Sequence, residues 1–123
     1  MSFQTGQLGF VRSVSSVALL WYDPTMDSRE ILAKLRENAA ALRARGVQHA
    51  ALFGSYARGD ARPDSDIDIL IEIEPGALIN LFDYVEITQN IAGLFPSHVD
   101  VANRDRLKPL VRPTAERDAV YAF

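Results

Sequence analysis

The sequence predicts one small α/β domain, a mixed β-sheet with helices packed on one face, and three patterns point to it. Apolar residues recur at helical spacing through Ile31, Leu32, Leu35, Ala39 and Leu42, as in a helix that buries one stripe. Along Ile67, Ile69, Ile71 and Ile73 every second residue is isoleucine, the two-residue period of a strand with one face in a core. A wide helical stripe then runs from Leu78 to Leu94 and leads into a further short strand at His98 to Asn103. At 123 residues, 48% of them apolar, the chain can bury one real core and is too short for two domains of ordinary size.

Taken in order, residues 1–25 are expected to form an extension, and the domain is placed at 26–123. Phe10, Val11, Val14 and Val17 to Tyr22 are apolar. A strongly basic start and an A-x-A-like cleavage site are both lacking, so a secretory signal is a poor reading. The extension is expected to be poorly ordered or laid over the domain, as an edge strand or a partner contact, without a catalytic role. Asp27 or Ser28 should cap the first helix, with Glu30 returning the bond if Asp27 is the cap, and Gly46 should end it. Lys34, Arg36, Arg43 and Arg45 are expected to be a solvated face. Val47 to Phe53 reads as a buried strand that delivers Gly54 to a turn, Tyr56 to Arg58 as a short helix, and Gly59 to Pro63 as a loop.

The strand entered at Asp66 ends near Glu74, where Pro75-Gly76 turns the chain. Glu72 and Glu74 share the face of Asp66 and Asp68 but recede from the strand mouth, so they are expected to meet solvent or a partner. In the helix from Leu78 to Leu94, the rows Leu78, Phe82, Val85 and Leu81, Thr88, Ile91 make a stripe wide enough to predict core packing, with some aromatics left for a partner. Arg104 to Arg117 is helical with interruptions at Pro109 and Pro113. Ala119 to Phe123 either returns as a last edge strand or ends as an apolar tail.

Composition removes several function classes. A net charge of −3 and a pI near 5.3 argue against a protein that coats nucleic acid, since that binding needs many phosphates neutralised by Lys and Arg. The same ground argues against template-directed polymerisation. Without cysteine there is neither a disulfide framework nor a thiolate metal site, which fits a cytoplasmic location. No apolar run approaches the ~18 residues of a membrane helix.

The chemistry is concentrated between Leu52 and Glu74, in LFGSYARGDARPDSDIDILIEIE. Asp66 and Asp68, two apart on a strand, project together while the isoleucines turn inward. Paired carboxylates at a strand mouth repel and call for a hard divalent cation, Mg²⁺ above all, which keeps water and substrate phosphates as its other ligands. Gly54 lets the backbone come close to a ligand, and a helix starting at Ser55 would offer N–H groups and its positive end to a phosphate. Ser55 adds a hydroxyl donor and Arg58 a guanidinium. A nucleoside triphosphate would then lie between the turn and the carboxylates. Arg62 is open between phosphate contact and solvent, and Asp60 and Asp64 are expected to make local turn bonds. His98 shares the face of Asp100 two residues earlier; it and His49 are expected to be surface imidazoles rather than ligands or bases.

Gly54-Ser55, Arg58 and Ser65-Asp66-Ile67-Asp68, followed by Val99-Asp100-Val101, resemble the signature of the DNA polymerase β-type nucleotidyltransferases in their minimal (MNT, MntA-like) branch. The resemblance covers roughly Ser28 to Phe123 and includes Pro75-Gly76 and the helix start Leu81-Phe82-Asp83. It implies the polymerase β-like fold and a third carboxylate, Asp100, on a strand beside that of Asp66. It also implies two Mg²⁺ ions held by Asp66, Asp68 and Asp100, with ATP as substrate and Gly54, Ser55, Arg58 and Ser65 binding the nucleotide. Asp100 is then the best proton acceptor. Members of the branch commonly pair with a HEPN-domain ribonuclease toxin, act as its antitoxin and transfer AMP to one of its tyrosines. Two alternatives stand beside this: a small-molecule nucleotidyltransferase of the aminoglycoside-modifying kind, whose pocket would need an oligomer or a partner, and an antitoxin acting by contact alone. Three gathered carboxylates should also raise at least one pKa in the metal-free protein.

Overall fold

Asp27 opens the first helix in the computed structural model, which describes residues 26–123; the expectations for residues 1–25 lie outside that range. Its carboxylate accepts the Glu30 N–H at 2.9 Å, and Glu30 in turn accepts the Asp27 N–H at 3.0 Å, closing a capping box on α1 (Ser28–Glu37). The single helix expected up to Gly46 is broken at Asn38, whose side-chain amide donates to the Lys34 carbonyl at 2.8 Å and so competes with the helical ladder. A second short helix, α2 (Ala39–Ala44), completes the run.

Strand β1 (Val47–Phe53) leads through Gly54 into the one-turn helix α3 (Ser55–Arg58). After a loop come β2 (Ile67–Ile73), α4 (Leu81–Ala92), β3 (Val99–Asn103), a 3-10 turn at Arg104–Arg106, α5 (Arg112–Asp118) and β4 (Val120–Tyr121). The sheet order is β3-β2-β1-β4. Strand β2 pairs antiparallel with β1 and parallel with β3, and β4 pairs antiparallel with β1. The parallel pair requires a crossover, and α4 makes it.

One sheet face carries the core. Ile31 and Leu35 of α1, Leu42 of α2, Ala50 and Leu52 of β1, Ile67, Ile69 and Ile71 of β2, and Ile87 and Ile91 of α4 are buried in one cluster. The alternation in β2 thus has the predicted sense, with Ile73 partly buried against the same cluster. Ala51 and Leu70 point the other way and are also buried, because α5 crosses part of that face, touches β1 and buries Ala115. Pro113 stands in the first turn of α5 and starts that helix rather than interrupting it. The last residues form the edge strand, one of the two outcomes left open above.

The rows of α4 differ from the expectation. Asn80 and Asp83 form a second capping box that fixes the helix start at Leu81 and not Leu78. With that phase Ile87 and Ile91 turn inward, while Leu81, Phe82 and Val85 remain exposed. Among the described residues no helix is long and apolar enough to cross a membrane.

Candidate active site

The parallel register of β2 and β3 brings the predicted carboxylates together. The Ile67 N–H donates to the His98 carbonyl at 2.9 Å, and Asp68 stands opposite Asp100 across the strand pair. Asp66, one residue before β2, is beside His98, one residue before β3. The Nδ1 of His98 lies 3.4 Å from one Asp66 oxygen and 3.9 Å from one Asp100 oxygen. One ligand atom from each of Asp66, His98 and Asp100 falls within 4.8 Å of the others. These three side chains are 52%, 69% and 60% exposed, so the cluster stands at an open edge.

Asp68 faces the turn. On the antiparallel side it pairs with Phe53, the residue before Gly54. Gly54 has φ 75° and ψ −151°, a conformation essentially confined to glycine. A Cβ at that position would collide with Asp68 Oδ2. Glycine is required here twice, for its backbone angles and for the approach of the carboxylate. Partial burial, then the charges of Asp100 and Asp66, push the Asp68 carboxyl above its ordinary range, against the weaker pull of Arg58 and His98. Burial is the larger cause, and the neighbouring carboxylates add to it in the direction expected of gathered acids; clustered carboxylate oxygens are also the donor chemistry that suits Mg²⁺.

Helix α3 has four residues, so it brings little of the macrodipole assumed for it. Its contribution reduces to the first-turn N–H groups and the Ser55 hydroxyl beside the Gly54 turn. Arg58 projects from the same turn and is held by Asp60 at 3.3 Å and by Asp118 of α5 at 3.4 Å. The hydrogen bond and charge of Asp60, and then those of Asp118, raise its pKa further. Ser65 accepts the Arg62 N–H through Oγ at 2.8 Å, which shapes the loop entering β2, and the Arg62 side chain is exposed.

His98 is an exposed imidazole, as expected, and its position two residues ahead of Asp100 on the same strand face sets it between two of the carboxylates. Two placements were not foreseen. Glu72, expected to meet solvent or a partner, accepts the Tyr121 hydroxyl at 2.6 Å and lies 3.8 Å from Arg104, so it anchors the chain end. The role of Asp118 depends on how α5 folds back, which no local pattern encodes. His49 lies at the far end of β1, with Nδ1 3.3 Å from the Phe123 carbonyl and its ring edge-on to Tyr121.

The family model described as the nucleotidyltransferase domain matches residues 29–122. This chain belongs to that family. It is 36% identical over 93 residues to the protein adenylyltransferase MntA of Thermococcus cleftensis, an alignment covering 75% of this chain and 92% of that protein. A solved structure described as a minimal nucleotidyltransferase superposes with a TM-score of 0.64 at 32% identity, covering 77% of this chain and 95% of the other. The fold also matches, with a TM-score of 0.52 at 19% identity over 75% of this chain and 71% of that one, the complex of a tri-AMPylated HEPN toxin with MNT antitoxin from Shewanella oneidensis. The polymerase β-like expectation therefore holds: this nucleotidyltransferase has the mixed four-stranded sheet of the minimal, MntA-like branch.

Proposed function

We propose that this nucleotidyltransferase is an antitoxin that transfers AMP from ATP to a tyrosine of a HEPN-type ribonuclease toxin. The observation that carries the reading is the meeting of Asp66, Asp68 and Asp100 at one end of two parallel strands, opposite the Gly54-Ser55 turn. The adenylyltransferase name of the archaeal relative and the toxin-bound MNT antitoxin supply the acceptor class. The open edge around Asp66 and Asp100 favours a side chain presented by another protein over a small molecule, which an enclosed pocket would grip better.

Asp66, Asp68 and Asp100 would hold Mg²⁺, which when bound screens the triphosphate and lowers the pKa of the attacking hydroxyl. Gly54 and Ser55 offer N–H and hydroxyl donors to the β and γ phosphates, and Ser65 keeps the neighbouring loop in place. Arg58 exchanges Asp60 and Asp118 for the departing pyrophosphate and neutralises its charge. The tyrosine oxygen attacks the α phosphorus, the bond from that phosphorus to the β-bridging oxygen breaks, and pyrophosphate leaves. The tyrosine proton passes to Asp100, the exposed carboxylate on the acceptor side.

The test is incubation of the chain with Mg²⁺ and α-labelled ATP, with a HEPN-type toxin or with aminoglycosides as acceptor. Label on a toxin tyrosine, lost in the Asp66→Asn, Asp68→Asn double variant, is the expected result. Label on the drug moves the assignment to the small-molecule class. Full neutralisation of the toxin by the double variant would remove catalysis from the account.

A further inference from the structure

Asp68 and His98 occupy different places around the same centre. The Asp68 carboxylate is drawn against Gly54, whereas His98 Nδ1 is the group that closes the gap between Asp66 and Asp100. Two donors about 2.1 Å from one ion lie ~3.0 Å apart at the right angle of an octahedral site. The observed separations of 3.4 and 3.9 Å are wider than that, and the exposed side chains can close the difference by small rotations. The backbone bond from Ile67 to His98 holds the two strand mouths in this relation without any ion.

We propose that His98 is a metal ligand through Nδ1, completing a site with Asp66 and Asp100 that prefers Mn²⁺ and similar imidazole-accepting ions over Mg²⁺. This rests on reading Asp66 and Asp100 as ligands. Carboxylate oxygens alone suit Mg²⁺, whereas one ring nitrogen shifts preference toward first-row transition metals. Coordination through Nδ1 requires the ring proton on Nε2, which the exposed ring allows. The sequence holds two histidines, and the other, His49, packs against Tyr121 and the Phe123 carbonyl, so a nitrogen signal can be assigned.

The test is pulsed electron paramagnetic resonance on the full chain with Mn²⁺, read as electron-spin-echo modulation from a directly bound ¹⁴N, with Mn²⁺ and Mg²⁺ affinities measured in parallel. The wild type should show nitrogen modulation, and His98→Gln should lose it. The same substitution should weaken Mn²⁺ about tenfold or more while leaving Mg²⁺ nearly unchanged. Mn²⁺ bound without nitrogen modulation, or modulation that survives in His98→Gln, overturns the proposal and leaves the carboxylate site standing. Failure of the wild type to bind Mn²⁺ overturns both.

Discussion

Gly54 is the residue on which the rest of the site closes. Its backbone angles alone cost any other residue ~1–3 kcal/mol, and the Asp68 oxygen occupies the place of a Cβ. Gly54→Ala should therefore destabilise the protein by about 2 kcal/mol or more. Gly59→Ala, with φ 86° and open space around the added methyl, should cost only ~1–2 kcal/mol. Chemical denaturation of the two variants checks the order, and adding Asp68→Ala to Gly54→Ala should recover ~1 kcal/mol if the contact is as described. Asp68 makes a second prediction. Its carboxyl binds a proton more tightly folded than unfolded, so it holds its full contribution below the unfolded pKa near ~3.9 and loses it as pH rises through the raised folded value. Asp68→Asn should raise the metal-free Tm by ~2–4 °C at neutral pH, a modest effect because Asp66 and Asp100 are exposed and screened, and the gain should vanish toward pH 3. At this scale the aspartates, the glycine and the serine were legible, because strand alternation fixes which side chains share a face. The partners of Arg58 were not, since Asp118 reaches it only through the tertiary fold.

Among the elements, the parallel β2 and β3 pair creates the site and the return of β4 steadies it. Tyr121 donates to Glu72 from the edge strand, and Glu72 is poorly exposed. Tyr121→Phe removes that bond and should lower stability by ~1 kcal/mol, seen as a lower urea midpoint with an unchanged m-value. The Arg104 guanidinium, 2.7 Å from Glu116 and 3.8 Å from Glu72, ties α5 to the same place. Asp27→Ala should cost about 1 kcal/mol by opening the capping box of α1. Elements with strong periods were readable in kind: the Ile67 to Ile73 alternation and the buried run from Val47 each became a strand. The phase of α4 was not readable, because its apolar residues cover too much of the circumference. The Asn80 and Asp83 box fixes only where the helix begins, and the packing of Ile87 and Ile91 into the core decides which row turns inward. The break at Asn38 is similar, a local side-chain bond overriding a continuous stripe.

As a whole, the described residues present an acidic, open edge at the start of β2 and a separate apolar patch at the start of α4, beyond the far end of β2. Leu78 and Phe82 are 98% and 83% exposed, next to Leu81 and Val85. Phe82→Ser should change stability by less than about 0.5 kcal/mol, since little is buried there to lose, and thermal denaturation reads it directly. Divalent cation with nucleotide should raise the Tm of the wild type, by ~2.7 kcal/mol of added stability at a hundredfold excess over Kd, and chelation should return it to the starting value. The double variant at Asp66 and Asp68 should show almost none of this gain.

The crossover through α4 has an implication for biogenesis. The acidic groups of β2 and β3 are distant along the polypeptide and become neighbours only when the α4 crossover closes, so no shorter nascent fragment brings them together. On the proposed reading, catalytic competence is acquired in the same event as the parallel pairing, and a chain stalled before Val99 would carry the Gly54 turn without Asp100.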